Sequence, residues 1–170
     1  MKSLVIYFSR ADENYFGGSL RYIDKGNTEV IAEYIRDLTG ADLYKVERKA
    51  PYSADYMTCI NEAKEEARSA SRPELVSYLD DISSYDVIFI GAPIYWGTMP
   101  QPMFTALERL DFHDKVILLF TTHEGSGLAN VVRDIQKLAL GATVKPGLAI
   151  VGSTVNQAKG AVEAWIKSNI

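Results

Sequence analysis

Val87-Ile88-Phe89-Ile90-Gly91-Ala92-Pro93-Ile94-Tyr95-Trp96-Gly97 is the stretch on which the fold turns. Its first four residues are apolar without alternation, so a strand over residues 86–90 presents apolar side chains on both faces. Such a strand belongs to a parallel sheet covered on both sides. Gly91 ends the run, and a loop over residues 92–101 follows. Pro102 then stands where a first helical turn accepts proline. Met103, Ala106, Leu107 and Leu110 repeat at helical spacing behind it. Strand, loop and helix make one α/β unit.

The unit recurs in both directions. Upstream, residues 4–8 read as a buried strand, and residues 9–26 as a polar, glycine-containing stretch. Ile31, Tyr34, Ile35 and Leu38 mark one helical face, ended by Gly40. Residues 41–46 are a weaker strand, and Ile60, Ala63, Ala67 and Ala70 give a small-residue face to a charged helix stopped before Pro73. Downstream, residues 116–120 are again a wholly apolar strand, with a loop over 121–127 and a helical stripe of Leu128, Val131, Val132 and Ile135. Residues 148–151 make the fifth strand. Thr154 and Gln157 have the spacing of a capping box, before a last helical face of Ala158, Val162, Trp165 and Ile166. Five strands alternating with five helices predict an α/β fold with helices on both faces of a parallel sheet. With no linker, repeat or low-complexity segment, residues 1–170 read as one domain.

Composition narrows the function. The chain has 170 residues, 47% hydrophobic and 24% charged, with a net charge of −4. Mild acidity argues against a nucleic-acid partner, which wants a basic face. The single cysteine, Cys59, rules out an internal disulfide and suits a reducing compartment. The apolar run after Met1-Lys2-Ser3 is too short for a signal peptide or a membrane span, so the cytoplasm is the expected location. His113, His123 and Cys59 share no metal-ligand spacing, and no metal site is expected. Cys59 reads as a small core or surface residue rather than a nucleophile. Ser126 lacks the Gly-x-Ser-x-Gly elbow, residues 25–28 are not a Walker loop, and no Gly-x-Gly-x-x-Gly follows the first strand. The third strand ends in Ile90-Gly91, without the aspartate of a phosphoryl receiver. No catalytic residue is nominated.

Ligands of open α/β sheets bind beyond the carboxyl ends of the strands. Three loops leave those ends. The first closes on Gly26-Asn27-Thr28-Glu29 at a helix start, where free N–H groups and the helix dipole favour an anion. Ser9, Asn27 and Thr28 can add neutral hydrogen bonds there; the plainer alternative is that Asn27 or Thr28 is only a cap. The second carries Tyr95-Trp96 between Pro93 and Gly97, which suits stacking on a flat ring. The plainer alternative is that Tyr95 or Trp96 caps the core or forms a dimer interface. The third, Thr121-Thr122-His123-Glu124-Gly125-Ser126-Gly127, lets backbone approach a ligand closely. Flavin mononucleotide (FMN) has a phosphate, a flat ring and a polar pyrimidine edge to match the three loops.

At these residues the chain resembles the flavodoxin-like superfamily, and most of all a flavodoxin-type family with a lengthened first loop. The resemblance rests on Ser9-Arg10, Gly26-Asn27-Thr28-Glu29, the run from Gly91 to Trp96, and Gly125-Ser126-Gly127. It implies a three-layer sandwich with a five-stranded parallel sheet in the order 2-1-3-4-5. It implies FMN, with Ser9, Arg10, Asn27 and Thr28 at the phosphate. Pro93, Ile94, Tyr95, Trp96 and Gly97 would line the ring, and Thr122, Glu124 and Gly125 would meet its pyrimidine side. Residues 11–25 interrupt the usual compact phosphate loop, Arg10 and Lys25 add cations that it omits, and the tyrosine often stacked from the third loop is absent. The expected role is a flavodoxin-type electron carrier; the alternatives are an FMN-dependent NAD(P)H:quinone or nitro oxidoreductase, and a flavin-free interaction module. The expected partner is a redox protein or a small electron acceptor, with no membrane, for a monomer or homodimer. The long first loop, with Tyr15, Phe16, Gly17 and Gly18, is a candidate lid.

Overall fold

A computed structural model describes all 170 residues. The four strands at the centre of the chain's frame are β1 (Ser3–Tyr7), β4 (Asp42–Lys45), β5 (Val87–Pro93) and β6 (Val116–His123). They lie parallel in the order β4-β1-β5-β6. Two short strands, β7 (Thr143–Val144) and β8 (Leu148–Val151), both pair with β6. The expected order 2-1-3-4-5 therefore holds, with the fifth position split around residues 145–147. Pro146 has no N–H for a ladder, and its carbonyl instead accepts the Trp165 indole N–H at 2.8 Å.

Side-chain alternation along each central strand feeds two cores. Leu4, Ile6, Ile88, Ile90, Ile117 and Leu119 face one side. They pack there with Cys59 and Ala63 of α2 (Tyr56–Ser69), Met103 and Leu107 of α3 (Gln101–Leu107), and Val131 and Ile135 of α4 (Val131–Leu138). Val5, Tyr7, Val87, Phe89, Leu118 and Phe120 face the other side. Ile31 and Ile35 of α1 (Asn27–Thr39) and Val162, Trp165 and Ile166 of α5 (Lys159–Asn169) cover that face. The three layers expected from doubly apolar strands are present. Gly91 is required where it stands: a Cβ there would lie 2.0 Å from the Phe120 ring.

Several local expectations are corrected. β5 runs on through Gly91, Ala92 and Pro93, and β6 through Thr121, Thr122 and His123, because the ladder continues to the pair Pro93–Thr122. Residues read as loop there are strand. Thr154 and Gln157 do not form a capping box: residues Gly152–Gln157 are a 3-10 helix and α5 has no side-chain cap. The Thr154 hydroxyl donates to the Val151 carbonyl at 2.7 Å instead. Leu128 precedes α4 rather than opening it, since Ala129 takes a left-handed φ of 45°. The polar stretch after β1 is not an irregular loop. It is an antiparallel hairpin of β2 (Asp12–Phe16) and β3 (Ser19–Ile23). Gly17 and Gly18, at φ 64° and 98°, make its tight turn.

Candidate functional site

β1 delivers the chain to Ser9, and a distant glycine receives it. A Cβ on Gly26 would lie 2.1 Å from Ser9 Oγ and 2.8 Å from the Arg10 backbone nitrogen and oxygen. Only glycine lets these segments meet. Gly26 is the N-cap of α1 and has no side chain to cap with. Ser9, nearly buried, supplies the missing group: its Oγ accepts the Glu29 N–H at 3.0 Å. The Val30 N–H goes to the Gly26 carbonyl at 3.3 Å. The first two amides of the helix, on Asn27 and Thr28, have no acceptor in the chain. Both residues line a cavity of about 430 Å³ at the carboxyl ends of the strands. Free amides at a helix start, backed by its dipole, form an anion cradle. The Thr28 hydroxyl is tied to the Thr122 hydroxyl at 2.8 Å, which joins the first loop to the end of β6.

The second loop turns on Tyr95 to Thr98, closed by the Tyr95 N–H donating to the Thr98 carbonyl at 2.8 Å. Its two middle residues, Trp96 and Gly97, have φ of 55° and 85°. The turn sends neighbouring aromatics in different directions. Tyr95 meets Phe8 and Tyr52 edge-to-face, each with centroids 5.8 Å away. Burial of its hydroxyl drives the phenol's pKa well above the ordinary value. Trp96 stays 50% exposed, with its indole N–H on the Ile60 carbonyl at 2.8 Å and Lys64 Nζ 5.3 Å from the ring. Trp96 is thus the open ring at this loop. Pro93, Ile94, Tyr95, Trp96 and Gly97 all line the cavity.

From the third loop, Thr122, His123, Glu124 and Ser126 line it as well. His123 Nδ1 accepts the Gly125 N–H at 2.9 Å, which occupies that ring within its own turn. Gly125, expected at the pyrimidine side, is not on the cavity wall, and neither is Ser9, whose hydroxyl caps the helix. Arg10 does line the cavity, but its terminal nitrogens donate to the Glu13 carbonyl and to the Ser53 and Ala54 carbonyls, the last two at 2.8 and 3.0 Å. Only its buried Nε lacks a partner. Lys25 is turned to Glu33, 2.7 Å away on the surface.

One wall was not foreseen, and another comes from the candidate lid. α2 contributes Tyr56, Cys59, Ile60 and Ala63, and the hairpin contributes Asn14 and Tyr15. Burial raises the Cys59 thiol above its ordinary range, which favours the protonated form. No group of three or more acidic, histidine or cysteine side chains is placed to hold a metal ion. Gly152 is a further unforeseen element: a Cβ there would lie 2.5 Å from Asn27 Nδ2 and 3.0 Å from Glu124 Oε1. Its bare backbone lets the last connection close against the first and third loops. An anion cradle of free amides, an open indole and a polar third loop around one cavity suit a phosphorylated, flat, conjugated molecule.

Known proteins bear on this arrangement. A family model described as flavodoxin matches residues 15–169. No curated protein matches. Among solved structures, a protein of Bacteroides eggerthii assigned as a flavoprotein superposes with a TM-score of 0.77 at 27% identity, over 99% of this chain and 97% of that one. A flavoprotein of Lactobacillus acidophilus in complex with FMN gives 0.60 at 22% identity, over 92% and 97%. Oxidised flavodoxin 2 of Bacillus cereus gives 0.54 at 18% identity, over 99% of each chain. The last two likenesses concern the fold. No helix is long and apolar enough to cross a membrane.

Proposed function

This chain belongs to the flavodoxin family, and from that premise we propose that it binds FMN and serves as a flavodoxin-type electron carrier. The observation that carries the reading is the pair of free amides at Asn27 and Thr28, set on the same cavity as the open Trp96 ring. The FMN complex of the Lactobacillus acidophilus flavoprotein, on the same fold, supports the choice of cofactor. When bound, FMN supplies one- or two-electron transfer; the protein supplies binding, orientation and electrostatics.

Each part of the chain has a role in that task. The Asn27 and Thr28 amides hold the phosphate, with the α1 dipole in place of a cation. Ser9 holds those amides in register by capping the third one. The Thr28–Thr122 hydrogen bond fixes the phosphate side against the third loop. Trp96 gives the ring a face, and Glu124 sets a negative charge on the cavity wall. Titration of apoprotein with FMN and with riboflavin, followed by flavin fluorescence, tests the reading. Tight, quenched FMN binding with riboflavin at least about tenfold weaker is expected, because riboflavin lacks the phosphate. Binding of neither flavin would overturn it.

A second reading, an FMN-dependent NAD(P)H:quinone or nitro oxidoreductase, is favoured by one feature. The hairpin brings Asn14 and Tyr15 onto the cavity wall, so the site is a chamber rather than a bare edge. Steady-state NAD(P)H oxidation with a quinone separates the two. A carrier gives no turnover at saturating FMN, and an enzyme gives on the order of 1–1,000 turnovers per second.

A further inference from the structure

We propose that Tyr15, on the β2–β3 hairpin, is a second aromatic wall for the flavin ring beside Trp96, and that the hairpin is a fixed clamp on that ring. The proposal rests on the FMN reading above. It starts from the third loop, which offers no free aromatic: its single ring, His123, is held by the Gly125 N–H at 2.9 Å. The hairpin does offer one. Tyr15 is 44% exposed and lies on the cavity wall.

Both open rings are organised by one helix. The Tyr15 ring rests on Tyr56, with centroids 6.5 Å apart. The Trp96 indole is bonded to the Ile60 carbonyl at 2.8 Å and approached by Lys64. Positions 56, 60 and 64 follow one another along a single face of α2. The supports of the two rings are therefore four to eight residues apart on one helix, about 6–12 Å along its axis.

The hairpin is tied at its base, so Tyr15 is presented rather than loose. At the base, Arg10 donates to the Glu13, Ser53 and Ala54 carbonyls. The Glu13 carboxylate accepts the Tyr56 N–H at 2.9 Å, and the Glu13 N–H reaches the Ala54 carbonyl at 3.3 Å. At the tip, a Cβ on Gly17 would sit 3.5 Å from Ser153 Cβ, beyond the end of β8. The hairpin thus spans from α2 to the far edge of the sheet, above the strand ends. A wall that is already in place binds a ring without the cost of ordering a loop.

The test compares wild type with Tyr15→Leu, Tyr15→Phe and Tyr22→Leu, titrated with FMN and with riboflavin. Leucine keeps apolar bulk against Tyr56 and removes only the ring. Tyr22, 65% exposed and off the cavity wall, is the control. Tyr15→Leu is expected to weaken both flavins by the same factor, about 5- to 10-fold, and to leave the bound flavin brighter. Tyr15→Phe and Tyr22→Leu are expected to match wild type. Unchanged affinity and quenching in Tyr15→Leu would overturn the clamp while leaving FMN binding intact. A loss confined to FMN would overturn it in favour of a phosphate effect. Loss of amide-exchange protection over residues 12–23 in Tyr15→Leu would count against stacking and assign the weakening to hairpin folding. Wild type that binds no flavin would overturn both the FMN reading and the clamp.

Discussion

Tyr95 and Trp96 are neighbours in the chain, and a left-handed turn gives them different work. A non-glycine residue at positive φ costs on the order of 1–2 kcal/mol, and such strain gathers at functional positions. Trp96 takes that conformation at φ 55°, while Tyr95 closes an aromatic trio with Phe8 and Tyr52. The two substitutions should therefore separate cleanly. Trp96→Ala is expected to weaken FMN binding about tenfold and to leave the urea midpoint almost unchanged. Tyr95→Ala is expected to cost about 3–5 kcal/mol of stability by opening a cavity under the site. Flavin titration and urea unfolding of both variants check this. If Trp96→Ala loses stability and Tyr95→Ala loses only affinity, the roles are reversed. The sequence alone showed that a large aromatic stands at the end of the third parallel strand. It did not show which, because the choice depends on a φ angle that no periodicity encodes.

The hairpin is the element that sequence patterning passed over. Its Gly17-Gly18 pair is a tight-turn signal, yet Asp12 to Phe16 and Ser19 to Ile23 show no buried face. An isolated two-stranded hairpin is marginal in water, so this one depends on what it docks against. Arg10 is the main tie: its terminal nitrogens are used on three carbonyls, and its buried Nε alone is left without a partner. Arg10→Gln is expected to raise amide exchange over residues 12–23 while the sheet stays protected. It should also weaken FMN and riboflavin by equal factors, about 3- to 10-fold. A loss felt by FMN alone would return Arg10 to the phosphate. The central strands and helices were legible because each buries a face, whereas the hairpin exposes most of its residues and leaves no such mark.

Taken as a whole, the molecule places three phenols in the two cores and in the wall between core and site. Burial, reinforced by Glu29, holds Tyr7 neutral well above its ordinary range. Burial, then the hydrogen bond to Glu66, does the same for Tyr52, and burial does so for Tyr95. A raised phenol contributes stability that is whole below its unfolded pKa, near 10, and fades as pH climbs toward the folded value. Stability is expected to fall beyond about pH 10, by up to about 1.4 kcal/mol per pH unit for each such tyrosine. Circular dichroism and phenolate absorbance should then change together; phenolate formation in all ten tyrosines before unfolding would contradict it. The sequence by itself determined the layered α/β frame, the positions of the three loops and the flavin-suited chemistry on them. Those depend on local apolar periodicity, and on glycines and aromatics set at strand ends. Tertiary structure alone decided that Ser9 caps a helix 20 residues on and that Thr28 meets Thr122, 94 residues away. It also decided that Arg10 ties down a hairpin and that Gly152 closes on Asn27 and Glu124. These are meetings of segments distant in the chain, created when the sheet is assembled, and no local pattern carries them.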